Sequence, residues 1–307
     1  MRGTDRPGAT LPTSPAMTAQ LPPDRLLLTG PFDGRQSDAA RQEVCRYADA
    51  GARDVLYVAA NGTARRAIVA DLVRRRQAVF GVRVVTLRAL PAEIERRLRV
   101  RSPEPAGGVV EEVVTERAVR MAAAGFPDVP IGGLAARVSR TIADVERAGG
   151  SREAVAEALA PIGDLGDGAR VLLDAWKHVE QWRPGHTRTA AAAFVAATAL
   201  VREHGAAALG KCSLLCLEDL PLASRVEREL VAALVAAAGC PVVATNACAA
   251  QLRATPATRS LAALREMAAW REVACLPADD RFAGALERLF VPGAEATHGA
   301  APPLRIT

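Results

Sequence analysis

Apolar positions along the first hundred residues come in short continuous runs, and each run is followed by a stretch with apolar residues three and four apart. Arg25-Leu26-Leu27-Leu28-Thr29 reads as a buried strand that stops at Gly30. A loop over 30–37 follows, then helical spacing over 38–50 that ends at Gly51. Residues 54–60 predict a second strand, Asn61-Gly62-Thr63 a turn and helix start, and 64–77 a helix. Residues 82–87 predict a third strand, and 91–100 a helix that opens on Pro91. This strand–helix alternation with short connections predicts a parallel sheet with right-handed crossovers, buried on both faces.

The period then changes. Pro and Gly punctuate 102–108, and from there to about Gly205 only helical spacing is present, over 109–124, 131–148, 152–159, 169–182 and 189–204. The strand signal returns at Cys212-Ser213-Leu214-Leu215-Cys216-Leu217, which ends in Glu218-Asp219. A helix over 225–238, a strand over 241–245 and helices over 260–273 and 282–290 complete the pattern, and Leu304-Arg305-Ile306-Thr307 reads as the start of another strand. The expected organisation is a disordered lead at 1–22, a first α/β part at 23–101, a helical insert at 102–208, a second α/β part at 209–250, and a helical tail with the truncated start of a further domain at 251–307.

Composition sharpens this in three ways. Aromatics make up 4% of the 307 residues, so the core must be built from Ala, Leu and Val. The net charge is +5, carried almost wholly by arginine, since Lys177 and Lys211 are the only lysines. Arg74-Arg75-Arg76 and Arg96-Arg97 are therefore candidate phosphate contacts, with a solvated helix face as the alternative. None of the six cysteines forms a Cys-x-x-Cys pair and the four histidines lie outside metal spacing of them, which favours reduced, packed thiols and no metal site. No uncharged apolar run reaches membrane-spanning length and no signal peptide is visible, so a cytoplasmic protein without a membrane partner is expected.

The chemistry-bearing feature is a strand, a Gly-containing loop and a helix start, a setting in which backbone N–H groups and the helix N-terminus hold phosphate. The full phosphate-loop pattern is Gly, four residues, then Gly-Lys-Ser/Thr. Counted from Gly30, the second Gly falls on Arg35, the Lys on Gln36 and the hydroxyl on Ser37, with Gly34 one place early. The first Gly and the hydroxyl are kept; the lysine is lost. A planar guanidinium at Arg35 does not replace an ammonium in so tight a nest. Gly30, Gly34, Arg35, Gln36 and Ser37 are thus the expected residues of a degenerate nucleotide loop, and Glu218 and Asp219 the acids that would face it across strand ends, with ATP and Mg²⁺ the only cofactors in question. No catalytic residue and no independent metal ligand is assigned.

The order of these features resembles the first motor domain of superfamily-1 helicases. It is closest to the AddB-type subunit of AddAB helicase–nucleases and related PD-(D/E)XK nuclease-family proteins. A Gly-Pro pair opens the loop in that family, as Gly30-Pro31 does here, and a helical subdomain interrupts the sheet. The family's return strand ends in Asp-Gly-Phe with a Glu nine residues after the Asp; Glu218-Asp219-Leu220 and Glu227 hold those places, and the 285–290 segment resembles a closing Leu-Phe element. The resemblance covers about residues 24–307. It implies a RecA-like sheet, a role in double-strand break repair and recombination, contact with DNA and a motor or nuclease partner subunit. The family's second motor domain and its exonuclease domain have no counterpart here, which implies a piece of a longer protein. The departures at Arg35, Gln36 and Asp219 predict a helicase-like module that does not hydrolyse ATP. Two alternatives stand beside it: a divergent small ATPase or kinase that uses Arg35 as its cation, and a protein–protein scaffold.

Overall fold

The computed structural model describes residues 24–275 apart from 31–33, 78–79, 106–107, 128, 130–132, 164 and 248–255. The expected lead at 1–22, the helix at 282–290, the Leu-Phe element at 285–290 and the strand at 304–307 lie outside the described residues. The α/β core starts with β1 (Arg25–Gly30), α1 (Arg35–Asp49), β2 (Val55–Ala59), α2 (Gly62–Arg76), β3 (Val82–Thr86) and α3 (Leu90–Leu98). Then come β4 (Glu104–Pro105), α4 (Gly108–Ala123), α5 (Leu134–Arg147), α6 (Arg152–Leu159), α7 (Asp167–Trp182), β5 (Thr187–Arg188) and α8 (Ala190–His204). The core resumes with β6 (Leu214–Glu218), α9 (Arg225–Ala237), β7 (Val242–Ala247), α10 (Pro256–Met267) and β8 (Arg271–Ala274).

Six strands form one sheet in the order β3-β2-β6-β7-β1-β8, and every pairing is parallel. Successive side chains of a strand face opposite ways, so each apolar run feeds two cores at once. Leu27, Leu56, Leu215 and Val242 enter the layer that holds α3, α8, α9 and α10, while Leu28, Tyr57, Cys216 and Val243 enter the layer beneath α1 and α2. This explains why β2 and β6 have no polar alternation: both faces are covered.

The helical segment has its own core. Val119, Val138, Ile142, Val171, Trp176 and Val179 bring α4, α5 and α7 together. Its entry and exit are clasped by the short parallel pairing of β4 with β5, Glu104 opposite Thr187 and Pro105 opposite Arg188. Arg188 also pairs with Glu95 of α3 at 2.6 Å, which fastens the clasp to the sheet layer. The segment between the clasp strands is therefore shorter than the expected 102–208. α8 belongs to the sheet layer, since Ala191, Phe194, Ala197 and Val201 pack with α3 and α9. Helical spacing alone could not tell these destinations apart.

A second difference concerns 260–273. The helix ends at Met267, and Arg271–Ala274 forms an exposed edge strand beside β1. A short charged strand of this kind, paired on one side only, lacks the apolar run that marks a buried one.

Candidate functional site

The ends of β1, β7 and β6 lie side by side at the C-terminal edge of the sheet, with β7 between the other two. This edge is where ligands sit in open parallel sheets. β1 delivers Gly30. A Cβ built there would come within 3.0 Å of Gln36 Oε1 and 3.2 Å of the Cys275 carbonyl, so any side chain would force these neighbours to shift by a few tenths of an ångström. Gly34 takes a φ of 83° and caps α1 without a side-chain hydrogen bond. Its carbonyl accepts from Asp38 N–H at 2.9 Å, which starts the helix at Arg35 and not at Asp38 as the spacing predicts. Arg35, Gln36 and Ser37 thus form the first turn of α1, with Arg35 exposed and both Gln36 and Ser37 buried.

Two of the expected residues are brought into direct contact. Ser37 Oγ donates to Asp219 Oδ2 at 3.0 Å, although 182 residues separate them. Asp219 follows the last residue of β6 and has a φ of 45°, the left-handed region that favours glycine. Its conformation is held by β7. The Asp219 N–H donates to Thr245 Oγ1 at 3.0 Å, and Asp219 Oδ1 accepts from Thr245 Oγ1 at 2.9 Å and from Ala247 N–H at 3.0 Å. Both carboxylate oxygens are therefore engaged.

Glu218 points into the layer beneath α1 and α2. Arg41, one helical turn beyond Ser37, donates to Glu218 Oε1 at 2.6 Å and to Oε2 at 3.3 Å, and the Tyr57 hydroxyl donates to Oε2. Arg41 also reaches Asp71 of α2 at 3.3 Å. Asp71 pairs with Arg74 and Arg75, and Arg75 with Asp38. Burial by itself would lower the Arg41 pKa, but the Glu218 carboxylate outweighs it and holds the guanidinium above its ordinary value. Burial raises the Tyr57 hydroxyl well above its ordinary range, helped by Cys216 and Glu218, so Tyr57 is a donor at any working pH. Burial would also raise Asp71, but Arg75 and Arg41 bring it below the usual carboxylate value.

The site is thus a latch in which a cation matches Glu218 and hydroxyls hold Asp219. Ser37 and Thr245 close on one acid, Arg41 and Tyr57 on the other. The two lysines stand elsewhere: Lys177 in α7, and Lys211 just before β6, at the opposite edge of the sheet. Two buried amide oxygens beside the latch, Gln36 Oε1 and Asn246 Oδ1, have no hydrogen-bond partner among the described residues. The residues singled out in the sequence are Gly30, Gly34, Arg35, Gln36, Ser37, Glu218 and Asp219, and Arg41, Tyr57 and Thr245 are not among them. The available signals were Arg41 at i+4 from Ser37, the Tyr57 ring inside the otherwise apolar β2, and the Thr245 hydroxyl beside Asn246 in β7.

The arginine clusters have internal partners. Arg76 pairs with Asp49, Arg96 and Arg97 share Glu93, and Arg97 also holds Asp54 at 2.7 Å while itself nearly buried. Arg74 and Arg96 keep more than half of their side chains exposed, as a solvated face would, whereas Arg97 is nearly buried. Arginines also line the junction of the helical segment with the sheet layer. A cavity of about 120 Å³ there is bordered by Arg88, Arg147, Arg183, Glu111, Glu146 and Thr189. Burial raises the Glu146 carboxyl above its ordinary value, against a hydrogen bond with Thr189.

No protein-family model matches this chain, and no characterised protein matches it significantly in sequence. No helix among the described residues is long and apolar enough to cross a membrane.

Proposed function

We propose that this chain is a helicase-like, non-hydrolysing module of a DNA end-processing complex, with a RecA-like sheet that has lost its motor chemistry and contributes DNA contact and scaffolding beside a motor or nuclease subunit. One observation carries the reading: the Ser37 hydroxyl after β1 meets the Asp219 carboxylate after β6, with β7 between the two strands. A hydroxyl after the phosphate strand that faces an acid two strands away is the arrangement in which phosphate-loop motors hold Mg²⁺ and nucleotide. The left-handed Asp219 stands where the helicase–nuclease family carries Gly, and the helical segment leaves and re-enters the sheet between α3 and α8, where that family has its interrupting subdomain.

The loss of hydrolysis follows from charge. A triphosphate at this turn would meet Asp219 with no lysine to offset it, and Mg²⁺ would have to displace the Ser37–Asp219 hydrogen bond. Arg41, one helical turn beyond Ser37, is committed to Glu218 and Asp71. DNA contact is assigned to the arginine-bordered junction of Arg88, Arg147 and Arg183.

Two measurements test this together. Calorimetric titration with Mg²⁺–ATP and a steady-state turnover assay are expected to give no saturable binding and no phosphate release. Binding to single-stranded DNA is expected to weaken steeply with salt, at about 0.7 in log K per log salt for each phosphate contacted. ATP turnover abolished by Ser37→Ala and Asp219→Ala would replace the reading with that of a divergent ATPase. Absent DNA binding at low salt would leave a protein scaffold.

A further inference from the structure

β3 is one edge of the sheet, and among the described residues it pairs with β2 and with no other strand. The Val55 N–H donates to the Gly81 carbonyl at 2.7 Å, and in a parallel ladder only alternate residues of a strand bond to the same neighbour. Val82, Val84 and Thr86 therefore turn their N–H and C=O groups away from the sheet. α2 runs alongside and is apolar on two faces. Ile68 and Leu72 enter the core, while Val69 and Val73 stay outside it, 40% and 42% exposed. Val69, Val73, Val82 and Val84 line a groove of about 570 Å³ along the strand edge, and its charged residues are Arg65 and Arg83. No acidic side chain among the described residues lines it. Arg65 Nε donates to the outward-facing Val84 carbonyl at 3.1 Å, and Arg83 pairs with Glu93 of α3 while half exposed.

We propose that the β3 edge and the α2 groove beside it form a docking site for an extended segment of a partner protein, one with acidic and apolar side chains in alternation, which adds to the sheet as a further strand next to β3. This site rests on the sheet edge alone and is independent of the helicase-like reading.

An unpaired sheet edge supplies main-chain donors and acceptors, and hollows for alternate side chains supply specificity. Every second side chain of an added strand faces α2, so apolar residues at those positions cover Val69 and Val73. The charge of the occupant follows from Arg65. Its guanidinium caps the Val84 carbonyl, the kind of charged guard that keeps sheet edges from pairing at random. An incoming strand takes over that carbonyl and displaces the guanidinium. An acidic side chain in the strand then receives it, whereas a basic one is repelled. A second copy of this chain fits poorly, because β3 against β3 would bring the Arg65 and Arg83 side chains of both copies to one seam.

The test is titration of the full chain with two short fluorescein-labelled peptides, one alternating glutamate with valine and the other lysine with valine. Fluorescence polarisation reads binding, and hydrogen exchange locates it. The glutamate–valine peptide is expected to bind saturably, more weakly as salt rises, and to slow exchange at the Val82, Val84 and Thr86 amides. The lysine–valine peptide is expected not to bind. Val84→Pro removes an outward N–H and spares the ladder to β2, since proline is tolerated where an edge N–H faces away, and it should abolish binding. Arg65→Glu, at an exposed position, should weaken the glutamate–valine peptide by about tenfold and admit the lysine–valine peptide. Circular dichroism checks that Val84→Pro folds; if it does not, Arg65→Glu decides. No saturable binding of the glutamate–valine peptide, equal binding of both peptides, or protection away from β3 overturns the proposal. So does a dimer of the chain with its β3 amides protected, which would assign the edge to a second copy.

Discussion

Arg41 holds two acids from different elements. It carries a buried positive charge between Glu218 and Asp71, and the Glu218 side chain is only 7% exposed. Removing one partner of a buried pair leaves the other charge uncompensated, at a cost of about 3–5 kcal/mol. Arg41→Met is therefore expected to lower the free energy of unfolding, read by urea denaturation, by that amount, and Arg41→Met with Glu218→Leu to recover most of it, because replacing both partners by apolar groups removes the desolvation cost. Ser37→Ala should behave differently. It removes one hydrogen bond to Asp219, worth about 1 kcal/mol, and should leave calorimetric heats with Mg²⁺–ATP at the background of the unaltered chain. Asp71 gives the latch a pH dependence. Its folded pKa lies below the ordinary 3.8, so its contribution is fully present above that value and is lost as pH falls through the folded value. Asp71→Asn should flatten the acid limb of a stability–pH curve below about pH 4.

At the scale of elements, spacing and composition were good guides to existence and poor guides to destination. The parallel sheet was legible because β1, β2, β6 and β7 are apolar on both faces, a pattern that solvent-exposed sheets do not show. α8 was assigned to the helical segment because its periodicity resembles that of α4 and α7, and periodicity says which face is apolar but not what meets it. β8 was missed because it is short, exposed and charged. Glu227 shows the same limit. Its distance from Glu218 fits a family motif, yet its carboxylate accepts from the Ser224 N–H at 3.0 Å while Ser224 Oγ accepts from the Glu227 N–H, a reciprocal cap on α9. Ser224→Ala is expected to cost about 1 kcal/mol in thermal or urea unfolding. For α8, Phe194→Ala should cost about 3–5 kcal/mol and lower the transition of the sheet layer itself, read by protection of β6 amides from hydrogen exchange.

For the whole molecule, the clasp of β4 with β5 makes the helical segment an excursion from the sheet with a defined neck, and the arginine-bordered cavity lies where the two meet. If that junction contacts DNA, neutralising Arg88, Arg147 and Arg183 together should weaken binding to all sequences alike and reduce the magnitude of the salt slope by about 2. Filter binding at several salt concentrations reads both effects. An unchanged slope would move DNA contact to another face of the molecule.

The residues of β1, β2, β6 and β7 determined by themselves that a parallel sheet would form, because strands that bury both faces must be apolar throughout. The missing lysine was equally a property of the chain alone, since Lys177 and Lys211 are its only lysines. What tertiary structure decided was the use of the charges that remain. Whether Glu218 faces solvent, a metal or an arginine depends on which helix crosses its strand end, and that is set by packing between elements far apart in the chain. Arg41 lies 177 residues from Glu218 and Ser37 lies 182 from Asp219, distances that no local pattern spans.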